Sequence, residues 1–243
     1  MSSALLRSSD SPVSGVQIWT AHLESFSPAE IAELSTLLDR EEQTRAARFH
    51  FERDRRHYVA SRGLLRRLLG AALELPAPAL VFQYGEQGKP ALAAEFSPDR
   101  ILRFNLAHSA GWAMFALTWD REVGIDLESA ARLRRDINAL PGLAARVLSQ
   151  RELAIWEALP DAAAKDAAFL RAWTRKEAYV KATGKGLFDE LENIEVALDA
   201  AAPISSLTLR SIPQEGERTR HWALHDLSAP DGFAAALALE QRA

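Results

Sequence analysis

The chain contains no cysteine, which excludes disulfides, thiolate metal sites and a thiol nucleophile, so any sulfur chemistry must arrive on a ligand. No apolar run approaches the roughly 20 residues needed to span a bilayer. The first residues, MSSALLRSSDSPVSG, lack a basic start followed by an apolar core. There is no glycine-rich phosphate loop and no low-complexity tract. Positive charge is also in deficit: the formal net charge is -4, which gives no general attraction to nucleic acid. These absences predict a cytoplasmic protein with a loose first dozen residues and with neither membrane nor nucleic acid as partner. Any anion site must be local.

What is present suits a soluble globular protein, with 48% apolar and 26% charged residues in 243. That length fits one large domain or two of about 120 residues each. Gly15 to Leu23 alternates like a first strand, and Ser27 with Glu30 forms a capping box that starts a helix near Pro28. From Asp39 an arginine-rich stretch carries a helical stripe of Val59, Leu64, Leu65, Leu68 and Leu69. Arg62, Arg66 and Arg67 share that helix. Most of these arginines read as a solvated face with snorkelling stems, Arg45 and Arg62 excepted. A short strand LVFQY and a stiff turn GEQGKPAL follow, holding Lys89 between Gly88 and Pro90. Ile101 to His108 and Ala113 to Trp119 read as a hairpin joined by the turn SAG, with His108 and Ser109 at its tip, where ligand groups collect.

In the strand Val123 to Ser129, alternation sends Val123, Ile125 and Leu127 one way and Asp126 with Glu128 the other. Two carboxylates side by side repel unless a cation joins them, and hard oxygen ligands suit magnesium or manganese. Ser149 and Glu152 form another capping box, and Asp161 leads into a long helix. On that helix Phe169, Ala172, Trp173 and Val180 share one face with Glu177, and Lys181 follows one turn later. Gly184 and Gly186 stop it. A carboxylate so aimed at the interior needs a cation or a hydrogen-bonding partner. Four strand-like runs close the chain: NIEVAL, SSLTLRSI, HWALHDL and GFAAALAL. Each half thus pairs helices with several strands, and the break falls near Trp119 to Gly124. The expectation is an α+β fold of two similar halves, residues 1–120 and 121–243, with a cleft between them. Three carboxylates (Asp126, Glu128, Glu177) with Lys181 and scattered Arg, Lys and His make a set suited to phosphate chemistry. Taken singly, each of these residues also has an ordinary structural reading.

In combination the motifs closely resemble those of the 4'-phosphopantetheinyl transferases, of the larger, pseudo-dimeric, surfactin synthetase-activating kind. GKP (Gly88 to Pro90), FNLAHS (Phe104 to Ser109), VGIDLE (Val123 to Glu128) and WTRKEAYVKATGKGL (Trp173 to Leu187) stand in family order. The resemblance implies coenzyme A in the cleft, Mg2+ on its pyrophosphate held by Asp126, Glu128 and Glu177, and Lys181 and His108 on the phosphates. It implies Lys89 beside the nucleotide and Arg45 and Arg62 near the 3'-phosphate. The implied reaction moves phosphopantetheine to a serine of an apo acyl or peptidyl carrier protein, in a monomeric enzyme with its cleft complete in one chain. Glu177 is further expected to take the serine proton. Ala107 departs from the family pattern, which has Ser before the motif His. Two other readings share these charges: a non-catalytic module that binds coenzyme A or the carrier, and a magnesium-dependent hydrolase of nucleotide pyrophosphates.

Overall fold

The computed structural model describes residues 5–93, 96, 100–131, 140–184, 191–199, 208–209 and 222–241. The anticipated helix starts are where the caps place them. The helix α1 (Pro28–Ser35) opens on the Ser27/Glu30 capping box, and α2 (Arg40–Ala47) opens on a second box, Asp39 with Glu42. The long helix α3 (Glu52–Leu73) buries Val59, Leu64, Leu65, Leu68 and Leu69, as their spacing requires. Later come α4 (Leu140–Val147), α5 (Gln150–Glu157, with the Ser149/Glu152 box) and α6 (Ala162–Thr183, capped by Asp161). Gly184 ends α6 at φ 69°, its N–H donating to Val180 O at 3.0 Å. Gly186, the other expected stop, lies outside the described residues.

Two antiparallel sheets carry the architecture. The first has the order β1 (Leu6–Ser9), β2 (Val16–His22), β6 (Trp112–Trp119), β5 (Leu102–Ser109), and the second β10 (Trp222–Leu227), β11 (Phe233–Glu240), β7 (Val123–Ser129). Small two-stranded pairs are formed by β3 (Phe82–Tyr84) with β4 (Pro90–Leu92) and by β8 (Ile194–Glu195) with β9 (Thr208–Leu209). The remainder of SSLTLRSI lies outside the described residues. One expectation is corrected here: the first dozen residues are not all loose, because Leu6–Ser9 pairs with Ile18–Ala21. Leu5 and Leu6 pack against the apolar core, which gives this segment a reason to be held.

The two halves repeat one plan. Each runs from a strand (β2 or β7) through a 22-residue helix (α3 or α6) to a hairpin (β5–β6 or β10–β11). In each sheet the hairpin's second strand then pairs with the first strand. This duplication is the α+β two-half fold expected from the sequence. Helix α3 packs on one face of the first sheet, burying Phe104, Phe115 and Leu117 with its leucines. On the second sheet α6 does the same with Ala236 and Ala238. The opposite faces of the two sheets meet in a third cluster that includes Val16, Ile18, Ala107, Met114, Val123, Ile125, Leu127 and Leu237. Strands β5 and β7, each at the edge of its sheet, come together along this seam.

Candidate active site

Alternation on β7 works as its sequence predicts. Val123, Ile125 and Leu127 fill the seam between the sheets, while Asp126, 2% exposed, turns toward α6. Gly124 makes that approach possible: a Cβ there would lie 2.0 Å from Ala178 O and 2.4 Å from Ala182 N. The helix therefore lies against the strand at this point, and its Glu177 and Lys181 come beside Asp126. Lys181 Nζ donates to Asp126 Oδ1 at 2.5 Å. Glu177 is 4% exposed, on the same buried face as Phe169, Ala172 and Val180.

The electrostatics are those of a crowded acidic site. Burial, reinforced by the Asp126 and Glu128 carboxylates, pushes Glu177 from 4.5 up to about 7 against the pull of Lys181. Burial likewise raises the Asp126 carboxyl, opposed by Lys181, by the Leu127 N–H and by the charge of His108. Two oxygens here, Asp126 Oδ2 and Glu177 Oε1, are buried without a hydrogen-bond partner. Leaving such acceptors unmade costs on the order of 1–3 kcal/mol each, and more when charged. Hard, buried, unsatisfied oxygens beside Glu128 fit a divalent ion of the magnesium type. Among the described residues no three His, Asp or Glu side chains are drawn close enough to cage an ion as they stand.

The hairpin β5–β6 supplies the N-terminal side of the site. Its two-residue tip, Ala110 and Gly111, has positive φ at both positions (43° and 83°), the backbone hand that matches strand twist. His108 is exposed beside the tip, and its charge reaches both Asp126 and His57 of α3. Ser109, 3% exposed, donates to Glu128 Oε2 at 3.0 Å. Ala107 is buried in the seam between the sheets.

Lys89 crosses between the halves. Its Nζ donates to Glu122 Oε2 at 2.9 Å and to Ala182 O, near the end of α6, at 2.7 Å. Burial pushes this ammonium down against the opposing effect of Glu122. It lines a cavity of about 290 Å³ with Arg103, Phe104, Glu122 and Gly184 among others.

The two expected 3'-phosphate ligands are placed differently from each other. Arg45 is exposed on α2, its guanidinium 5.6 Å from the Tyr58 ring centre, in an open groove with Arg40 and Arg48. Arg62 is buried: its Nε donates to Glu42 Oε1 at 2.7 Å and its Nη2 to the Tyr84 hydroxyl at 3.0 Å. Arg66, expected on a solvated face, is fully enclosed. It binds Glu42 Oε2 at 2.5 Å, Asp39, and the carbonyls of Ala77 and Leu80. A second such anchor went unread in the WTRKEA motif: Lys176 is 0% exposed and donates to Glu152 Oε2 at 2.5 Å and to Val147 O and Leu191 O. The structure thus gathers Asp126, Glu128, Glu177, Lys181, Ser109 and His108. Lys89 lies at the adjoining end of α6, and Arg62 is committed to the interior of the first half. Asn105, within FNLAHS, has no role in the sequence reading; its signal is a polar residue on an apolar strand four positions before Ser109.

Comparison with known proteins bears on the family of the chain. Residues 24–119 match the family described as 4'-phosphopantetheinyl transferase, N-terminal, and residues 122–238 match the 4'-phosphopantetheinyl transferase superfamily. The chain is 37% identical over 224 residues to the 4'-phosphopantetheinyl transferase HetI of Nostoc sp., covering 92% of this chain and 87% of that protein. It is 28% identical over 209 residues to the human L-aminoadipate-semialdehyde dehydrogenase-phosphopantetheinyl transferase, covering 83% and 66% respectively. A holo-(acyl-carrier-protein) synthase structure from Bacillus anthracis, in complex with CoA (3',5'-ADP), is similar over 50% of this chain and 96% of its own. The identity there is 24% and the TM-score 0.37. With two family matches in chain order and 37% identity over nearly its whole length, the chain belongs to the 4'-phosphopantetheinyl transferases of the larger, two-halved type and is an enzyme of that class.

Proposed function

We propose that this enzyme transfers 4'-phosphopantetheine from coenzyme A to a serine hydroxyl of an apo acyl or peptidyl carrier protein in a Mg2+-dependent reaction. Adenosine 3',5'-bisphosphate is released. The observation that carries the reading is the pair of orphaned buried oxygens on Asp126 and Glu177, beside Glu128 and Lys181. Asp126, Glu128 and Glu177 would hold the ion, Mg2+ or Mn2+, which when bound neutralises pyrophosphate charge. Residues 1–120 then act as the half that meets the nucleotide, and residues 121–243 as the half that bears the carboxylates.

The chain's own groups account for the remaining steps. Lys181, half-buried and paired with Asp126, is within reach of a phosphate brought to that carboxylate and stabilises the leaving phosphate oxygen. His108, exposed at the strand end, contacts the same phosphates. Lys89 and the cavity it lines stand beside the nucleotide, and Arg45 offers an exposed cation to the 3'-phosphate. Arg62 leaves this list, because its guanidinium already serves Glu42 and Tyr84. Glu177 accepts the serine proton: a carboxylate raised to about 7 is matched to proton transfer at neutral pH. The serine oxygen bonds to the β-phosphorus as the bond from that phosphorus to the bridging oxygen breaks. We place it in the cytoplasm, and a cleft built by two halves of one chain supports action as a monomer.

The test is the intact mass of apo carrier proteins after incubation with this protein, coenzyme A and Mg2+, with and without chelator. A phosphopantetheine-sized gain that requires both the metal and the carrier serine is expected. No gain on acyl and peptidyl carriers, from folded protein that still binds coenzyme A, would indicate a binding module instead.

A further inference from the structure

We infer that Asn105 and Ser109 are positioning residues for this transfer: they clasp β5 to β7 and so set the carboxylates of one half against the phosphate-facing strand of the other. The assignment rests on the function proposed above.

Strands β5 and β7 are edges of separate sheets, and an edge strand leaves a row of backbone donors without a ladder partner. Here the seam is buried, with Ile125 0% and Ser129 4% exposed, so each N–H must be satisfied locally. Side chains of β5 do this. Ile125 N donates to Asn105 Oδ1 at 2.9 Å, and Ser129 N donates to Ser109 Oγ at 3.3 Å. The N–H between them, on Leu127, serves the Asp126 carboxylate. Both clasps join residues 20 apart in sequence, so β5 and β7 run parallel, with side chains standing where a backbone ladder would be. Matching four-residue spacings on the two strands fix one register, and a slip would orphan both donors.

The reacting groups lie within this clasp. Asp126 and Glu128 sit between the two pinned amides, and the Ser109 hydroxyl that accepts from Ser129 also donates to Glu128 Oε2. His108 is the neighbour of Ser109 on the opposite face of β5. Ser109, expected at a tip where ligand groups collect, thus acts through Glu128, and Asn105 acts through the backbone of β7.

The test uses the full chain and Mn2+ as probe. Mn2+ affinity is measured by paramagnetic resonance titration in the presence of coenzyme A, alongside kcat with an apo carrier, for wild type, Asn105→Leu, Ser109→Ala and Ser109→Thr. The first two variants are expected to weaken Mn2+ binding and lower kcat by about 10- to 100-fold, while Ser109→Thr, which keeps the hydroxyl, stays within about threefold. Variants with a lowered unfolding midpoint whose folded fraction keeps wild-type Mn2+ affinity and kcat would overturn the inference, leaving the clasp structural. Should Asn105→Leu not fold, the Ser109 pair decides alone. A wild type that neither binds Mn2+ nor modifies a carrier would overturn the proposed function and this assignment together. A wild type that does both, beside unaffected variants, overturns this assignment only.

Discussion

Glu42 and Glu177 are buried to nearly the same degree, 3% and 4% exposed, and opposite in circumstance. In the first half, Glu42 has both oxygens engaged by guanidinium groups, Arg62 on one and Arg66 on the other, with the Asp39 N–H as a further donor. Glu152 repeats the pattern in the second half, where Lys176, Ser149 N and Val196 N satisfy its two oxygens. Glu177 has Oε1 unpartnered and two carboxylates for neighbours. Burial therefore does not tell these acids apart in this fold. What separates them is whether the protein itself completes the hydrogen bonds or leaves them to something that arrives.

The sharpest way to break the comparison is to remove a satisfied acid. Glu42→Ala removes the carboxylate shared by two buried guanidinium groups, and losing one partner of a buried ion pair costs about 3–5 kcal/mol. Urea unfolding should show that loss, and a variant as stable as wild type would mean Arg62 and Arg66 had found other partners. The unsatisfied acid should behave in the reverse way. Glu177 has its folded pKa raised from 4.5 to about 7. Between those values the folded state holds a proton that the unfolded state has released, so stability falls as pH rises. Its contribution is complete below pH 4.5 and lost by about pH 7. At about 1.4 kcal/mol per pH unit the loss reaches roughly 3 kcal/mol. Metal-free Glu177→Gln should therefore be more stable than wild type at pH 8 by up to that amount, with no gain at pH 4, while turnover falls by roughly 10²- to 10⁴-fold. Chemical denaturation at the two pH values checks the first part and carrier modification the second; equal stabilisation at both values would remove the titration account.

Much of this division was legible in the sequence where local period decides the outcome. The strand alternation of Val123 to Ser129, the helical face carrying Glu177, the caps at Ser27, Ser149 and Asp161 and the hairpin ending in SAG all follow from spacing within a dozen residues. Arg66 and Lys176 did not follow. Each is a long cation whose burial depends on an acid 24 positions away, and no periodicity within its own helix announces that partner. Arg62 was set apart from its neighbours as a 3'-phosphate ligand; its partners in the fold, Glu42 and Tyr84, stand 20 and 22 positions away. The pairing of Asn105 with Ile125 was illegible for the same reason, since it depends on how two sheets meet. Leu6–Ser9 went unread because a four-residue strand with two exposed members leaves little pattern.

A fourth acid, Glu52, tests whether geometry without burial counts for anything. On α3, four residues before the turn that brings Val59 inward, Arg55 makes two hydrogen bonds to Glu52, Nε to Oε2 and Nη2 to Oε1, each 2.7 Å. In distance this pair compares with Arg62 and Glu42, yet both of its side chains face water, with 45% and 62% of their surfaces exposed. Solvent already satisfies these charges in the unfolded chain, and ordering two long side chains offsets what attraction remains. Arg55→Ala should leave the unfolding midpoint unchanged, and added salt should erase any residual difference, whereas the cost of Glu42→Ala persists in salt because its partners lie out of reach of ions. A clear loss from Arg55→Ala would mean that pair geometry contributes by itself, and the contrast between Glu42 and Glu177 would then have to be drawn on more than enclosure.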